Sequence, residues 1–323
     1  MCIRLVRSLR DTLLPKRCAG MFSLGITTVE QYVRAARKGP LSGTTTSYGL
    51  LQIGENPTTE EVSRFEDINL VVRTSNGTRR TTFRHRMLDV DATTLELLQK
   101  WYPQDAELLV QDRAASNCLT SAEWAQRLFQ AFPRATFEAS DRLLYLLRIC
   151  LEGGKAYIIE PDGEPLQYLT PLFVLFLSYR EPYRYPLRSL MAARAKRSFR
   201  RLGLPQRNST YRLEQISCIH PEAKSLCNKD SRFQICIRSV FGRSPAVHVL
   251  RTMNILNKNY FRDEKLVEGA NAAFQTLKPG GLWIVGRTLK NLTNHVTFFR
   301  RTENKWEVIA RIGKGSEIEE LIA

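Results

Sequence analysis

Residues 248–288 read HVLRTMNILNKNYFRDEKLVEGANAAFQTLKPGGLWIVGRT, and the reading of this stretch decides the fold. An apolar run from His248 that ends near Asn254 has the length and composition of a buried strand. A segment of helical spacing follows, from Tyr260 to Leu277. Lys278-Pro-Gly-Gly281 then turns directly into a second apolar run that closes on Thr288. Strand, helix, glycine turn and strand in that order form the unit of a parallel sheet, because parallel neighbours need a crossover that returns the chain to the same edge.

The same alternation extends upstream. AELLVQD (106–112) reads as a buried strand, LTSAEWAQRLFQAF (119–132) as a helix and ATFEASD (135–141) as a second strand. After an interruption come LEQISCIH (213–220), the short helical PEAKSLC (221–227) and the strand-like RFQICIRSVF (232–241). At the end, HVTFFRRTE and KWEVIARIG flank Asn304 as an antiparallel hairpin. The expected fold class is therefore α/β: a Rossmann-like, doubly wound, mostly parallel sheet with a terminal antiparallel hairpin, spanning residues 105–323, with an insertion at about 143–212. Residues 1–104 are expected to form a small N-terminal α+β domain. TTEEVSRFEDI opens with hydroxyl caps before Glu60 and Glu61. INLVVRTSNGTRRTTFRHR (68–86) gives two β-rich runs joined at Asn76-Gly77, a dipeptide that tolerates the positive φ of a hairpin turn. The helix DATTLELLQKWY closes the region, and nothing in it has catalytic spacing.

Composition narrows the class further. With 43% hydrophobic and 25% charged residues, the 323-residue chain can bury a sizeable core, which argues against disorder. The net charge of +16 admits a polyanionic partner or a solvated basic surface. Basic residues cluster at Arg79/Arg80/Arg84/Arg86 and between Glu181 and Glu214, an interval without an acidic residue. There LRSLMAARAKRSFRRL places Leu187, Leu190, Met191, Ala195, Phe199 and Leu202 at helical spacing, with arginines and a lysine on the rest. Within an insertion beside a sheet's ligand edge, this helix is a candidate lid or substrate clamp. The seven scattered cysteines show no zinc-ligand spacing, and no metal site is expected. They favour a reducing compartment, and a cytoplasmic location is expected, with the Arg-rich residues 1–18 read as an N-terminal amphipathic helix. No apolar run reaches the roughly 18–20 residues of a membrane span, so no transmembrane segment is expected. Nothing fixes the oligomeric state.

In a doubly wound sheet, ligands sit outside the carboxyl ends of the strands where the strand order reverses. The loop DRAASNC (112–118) follows the first strand and consists largely of small residues. Asp141 in FEASD stands at the end of the second strand, where a carboxylate holds ribose hydroxyls. His220, beside Pro221, reads better as a helix cap than as a base. The four histidines form no Ser/His/Asp constellation, and the catalytic residues stay unassigned.

Taken together, Asn254-Ile-Leu before Tyr260-Phe261, the Pro-Gly-Gly turn and Ile284-Val-Gly286 resemble the class I S-adenosylmethionine-dependent methyltransferases. Within them, the sequence looks most like the chemotaxis-receptor (protein-glutamate) methyltransferases. The resemblance covers about 106–288. It implies S-adenosyl-L-methionine as cofactor, bound by Asp112, Ala114, Ser116, Cys118, Asp141 and Asn254. It also implies a methyl acceptor such as a protein carboxylate, with RNA or an acidic metabolite suggested by the charge. Ala114 and Cys118 stand where that family has glycines, and their β-carbons are expected either to hinder close cofactor approach or to require a negative φ. Two other functions remain open: a binding protein on the same scaffold without transfer activity, and a nucleic-acid-binding module using the basic helix.

Overall fold

The computed structural model describes residues 26–28, 53–54, 56–71, 74–75, 80, 82–171, 173–177, 186–202 and 211–322. In chain order the elements are β1 (Ile26–Thr28), α1 (Thr59–Val71), α2 (Leu88–Trp101), β2 (Leu109–Arg113), α3 (Leu119–Ala131), β3 (Thr136–Asp141), β4 (Tyr145–Cys150), β5 (Ala156–Ile159), β6 (Pro165–Leu169) and β7 (Phe173–Phe176). They continue with α4 (Pro186–Leu202), β8 (Arg212–Ser217), α5 (Pro221–Lys229), β9 (Phe233–Ile237), β10 (Val247–Met253), α6 (Asp263–Thr276), β11 (Leu277–Thr288), β12 (Asn294–Arg301), β13 (Trp306–Ile312) and α7 (Glu319–Ile322). The chain forms two compact units, one of residues 1–81 and 145–218, the other of 82–144 and 219–323.

The division differs from the expected boundary at residue 104. Helix α2 belongs to the second unit because its Val90 and Leu98, both fully buried, pack into one core with Trp124 and Leu128 of α3. The inserted segment does not stand alone either. It builds a six-stranded antiparallel sheet in the order β1-β7-β6-β5-β4-β8, and its first strand comes from near the N-terminus. LEQIS, read as part of the alternation, pairs antiparallel with β4 in this sheet. Ala195 and Phe199 of α4 bury against Ile149, Tyr157 and Leu175, and the Tyr157 hydroxyl donates to the Ala195 carbonyl at 2.9 Å. The apolar stripe of α4 is only partly covered, since Leu190 is 68% and Leu202 40% exposed.

The hairpin expected at 68–86 is absent from the described residues. Ile68–Val71 continue α1 instead. Thr58 and Glu61 start that helix with a reciprocal capping box, Glu61 N donating to Thr58 Oγ1 at 3.2 Å and Thr58 N to Glu61 Oε2 at 2.8 Å. Once nucleated, a helix extends at the gain of one hydrogen bond per residue, which overrides the β propensity of Ile68 and Val71. Asn76-Gly77 and residues 1–25, including the amphipathic N-terminal segment, lie outside the described residues.

The second unit carries the sheet that residues 248–288 foretell. Its order is β13-β12-β11-β10-β2-β3-β9, parallel from β9 to β11 and antiparallel at β12 and β13. The chain therefore runs outward from β2 through β3 to β9, then resumes on the other side of β2 with β10 and β11. The order reverses between β2 and β10, the position at which doubly wound sheets place their ligands. Lys278-Pro-Gly-Gly281 forms a bulge: Val247 pairs with Leu277 and Val249 with Leu282, so four residues loop out between the two pairs. Gly280 supplies the positive φ (79°) this requires. Side chains cover both faces of the sheet, one cluster centred on Trp124, Phe137 and Ile284, the other on Leu250, Trp283 and Phe299. No helix among the described residues is long and apolar enough to cross a membrane.

Candidate functional site

The strand registers align the expected site residues along one edge. Arg251 pairs with Asp112, Arg113 with Ser140, and Met253 with Gly286. Continuing those registers sets Asp141, Ala114, Met253 and Gly286 level across four neighbouring strands, with Asn254 and Arg287 one residue further along.

The loop between β2 and α3 has an unusual backbone. Ala114 (φ 59°), Ser116 (φ 59°) and Cys118 (φ 64°) all lie in the left-handed region. An L-residue there costs roughly 1–2 kcal/mol, because its β-carbon crowds the backbone carbonyl. The expectation that β-carbons at 114 and 118 impose negative φ is thus corrected: the loop holds the glycine conformation with other residues in place. Surrounding contacts enforce it. Ala115 N donates to the Ser140 carbonyl at 3.0 Å, Cys118 N to the Ala115 carbonyl at 2.9 Å, and Ser116 N to Asp141 Oδ2 at 2.8 Å. Asp141 Oδ1 also accepts from Leu143 N at 2.9 Å. These two backbone donors hold the Asp141 carboxylate in orientation at the tip of β3.

The remaining expected residues divide by burial. Cys118 is fully buried in the core around Trp124, so its side chain supports the loop from inside and only its backbone turns toward the edge. Asp112, 3% exposed, is engaged internally: its Oδ2 accepts from Ser121 Oγ at 2.6 Å and from Arg251 Nη2. Arg251, itself 1% exposed, also donates from Nη1 to Asp91 Oδ1 at 2.8 Å and lies 4.3 Å over the Trp124 ring. Against the penalty of burial, Asp112 and Asp91 raise the Arg251 pKa above its ordinary value. Burial pushes the Asp91 carboxyl up to about 7, against the pull of Arg251 and Arg127. Asp112 therefore fixes the base of the loop by binding α3 and, through Arg251 of β10, the Asp91 carboxyl of α2.

Asn254, also left-handed (φ 63°), spans the ends of β10 and β11. Its backbone N donates to the Gly286 carbonyl at 2.8 Å, and its Oδ1 accepts from Thr288 N at 2.7 Å. Its Nδ2 has no hydrogen-bond partner among the described residues. His220 caps α5, accepting at Nδ1 from Glu222 N at 3.2 Å, as its position beside Pro221 suggests.

Sequence reading missed Arg86, Asn294 and a cavity. Arg86 Nε donates to Thr288 Oγ1 at 3.0 Å, and Asn294 Nδ2 returns to the Arg86 carbonyl at 3.1 Å. Burial lowers the Arg86 pKa to about 10. The cavity, about 360 Å³, lies past the carboxyl end of β11 between Leu256, Arg287, His295 and the turn Lys314–Glu317. Gly313-Lys-Gly315 after the last strand was the one legible sign of it. Among the described residues, no group of three or more His, Cys, Asp or Glu side chains is placed to hold a metal ion.

No family model matches the sequence, and no curated protein matches it. Among solved structures, the chain is similar to an O-methyltransferase family protein from Burkholderia thailandensis, with 12% identity and a TM-score of 0.31, over 80% of this chain and 48% of that one. It is similar to the CMeT domain of the citrinin polyketide synthase, with 12% identity and a TM-score of 0.32, over 71% of this chain and 39% of that one. A third likeness is to an O-methyltransferase from neocarzinostatin biosynthesis in complex with S-adenosylmethionine and 2-hydroxy-5-methyl naphthoic acid, with 14% identity and a TM-score of 0.26, over 64% and 43% of the two chains. The chain spans less than half the length of each of these structures. Likenesses at this level carry no argument about activity, and the architecture rests on the strand order and registers above.

Proposed function

We propose that the second unit is an S-adenosylmethionine-dependent methyltransferase whose cofactor crevice lies over β2, β3 and β10. The observation that carries this reading is the run of left-handed residues Ala114, Ser116 and Cys118. Backbone strain on non-glycine residues persists where the surrounding structure holds it, and such strain concentrates at ligand sites. Ordinary strand-to-helix connections do not require it.

The residues present suit a nucleoside. Asp141, oriented by two backbone N–H groups at the tip of β3, is a carboxylate at the strand end where this class of sheet holds ribose hydroxyls. Ala114 and Ser116, both half-buried, present a narrow backbone ledge beside it. Asp112 and Cys118 support that ledge from within. Asn254 has an uncommitted amide at the end of β10, where cofactor and acceptor meet in this reading. When bound, the cofactor supplies a sulfonium methyl, an electrophile that needs no protein nucleophile. The chain's contribution is then alignment and exclusion of water, worth several orders of magnitude when donor and acceptor are held in line. The chemotaxis-receptor resemblance implies a carboxylate as the accepting group.

Isothermal titration with S-adenosylhomocysteine tests the reading. Binding is expected for the wild type and is expected to weaken about tenfold, the equivalent of about 1.4 kcal/mol, in Asp141→Asn, with the fold intact by tryptophan fluorescence. No binding to the wild type at millimolar ligand, or equal binding to Asp141→Asn, overturns it.

One observation favours a separate role for the first unit. Helix α4 turns Ala195 and Phe199 inward and leaves Arg194, Arg197, Arg200 and Arg201 exposed, an arrangement suited to a phosphate backbone. RNA binding that does not weaken with salt removes this reading.

A further inference from the structure

We propose that the cavity past the carboxyl end of β11 is the methyl-acceptor pocket and that it takes a small organic anion. As an acceptor pocket it rests on the methyltransferase reading; as an anion site it stands on its own geometry. Its volume of about 360 Å³ suits a small molecule and not a folded partner. Gly286 and Leu256 line it, and Gly286 pairs with Met253, the residue before Asn254.

The charges in its wall define the ligand. Arg287 is neutralised by Glu317 at 2.6 Å, and Glu320 faces Lys258 at 3.5 Å. Lys314 makes no ion pair with any described residue. The His295 ring, on the same wall, carries an N–H donor in either neutral tautomer. The lining residues thus include one lysine, Lys314, without a carboxylate partner among the described residues, while Glu317 and Glu320 each have a cationic partner. An entering cation would have to displace Arg287 or Lys258. Leu256 and Leu289 add apolar surface for the body of the ligand.

Backbone approach around His295 shapes the pocket. A β-carbon on Gly286 would lie 2.1 Å from the His295 carbonyl oxygen, and one on Gly313 2.8 Å from His295 Cδ2. Gly313 and Gly315 also have φ of 58° and 77°. Glycine thus lets β11 approach the His295 backbone and the turn after β13 approach its imidazole.

The test uses benzoate as the probe and the full chain without cofactor, followed by the amide signals of Gly286, Gly313 and Gly315. Saturable shifts at millimolar benzoate are expected, weakened about fivefold to tenfold in Lys314→Ala and restored in Lys314→Arg, the loss of one ion pair in a half-wet site. Phenyl phosphate in a parallel titration ranks phosphate against carboxylate. The proposal is overturned if benzamidine binds as well as benzoate, if Lys314→Ala binds benzoate unchanged, or if no glycine signal moves. Because the assay contains no cofactor, its failure removes the pocket and leaves the crevice reading intact. A failed cofactor titration does the reverse.

Discussion

Replacing Ala114 with glycine inverts the usual sign of that substitution. At φ 59° the alanine carries a left-handed penalty of roughly 1–2 kcal/mol. Glycine removes it and in exchange adds unfolded-state freedom worth about 0.5–1 kcal/mol. Loss of a half-buried methyl subtracts up to about 0.4 kcal/mol, half the value of a fully buried carbon. With the middle of each range the net expectation is a gain of about 0.5 kcal/mol. Ala272→Gly, inside α6, is the control: an ordinary helical alanine should lose about 1 kcal/mol. Urea unfolding followed by tryptophan fluorescence reads the right part of the molecule, because Trp101, Trp124, Trp283 and Trp306 are all of the chain's tryptophans and all belong to the second unit. The two midpoints should move in opposite directions, by about 0.1–0.5 M at ordinary slopes. If Ala114→Gly loses stability as Ala272→Gly does, the loop is not strained and the argument for a ligand crevice built on it collapses.

Two further expectations concern the same unit. Gly286→Ala places a carbon 2.1 Å from the His295 carbonyl oxygen and 2.7 Å from Val296 Cα, backbone atoms that cannot step aside. It should cost about 3 kcal/mol or more by parting β11 from β12, and a wild-type urea midpoint would refute the close approach. For Asp91, burial raises the folded-state pKa from 3.8 to about 7, so between those values the folded chain holds a proton that the unfolded chain has released. Its contribution to stability is complete below the lower value and is lost as the pH rises through the higher one. Urea midpoints at pH 5 and pH 7.5 should therefore differ more in wild type than in Asp91→Asn; equal pH dependence in the two proteins would show that Asp91 titrates normally.

Legibility in the sequence followed the range of the interactions. The parallel strands were readable because a strand buried on both faces is apolar throughout, as in Leu250 and Val285, and the crossover helices have a clear period. The terminal hairpin was readable from its turn at Asn304. The partition of the chain was not, because it depends on β1 pairing with β7, residues roughly 150 positions apart that carry no local mark. The same holds at the site. Asp141 and the small loop were visible as residue types, whereas the role of Asp112 depended on Arg251 from another strand. The loop's left-handed backbone was concealed by alanine, serine and cysteine, where glycine would have announced it. Residues 68–71 misled for a local reason: the capping box at Thr58 and Glu61 committed the chain to a helix before β propensity could act.

The interleaving of the two units bears on how the chain matures as it leaves the ribosome. Strand β1 emerges with no partner until β7 has followed it, and the pair β2–β3 likewise waits for its outer neighbours β9 and β10. No single cut separates the units, so halves made at any one bond would each carry an orphaned piece of the other. Synthesis from end to end delivers the antiparallel sheet whole while the other is still missing β9 to β13, so the nascent protein passes through a stage in which β2 and β3 stand with open edges.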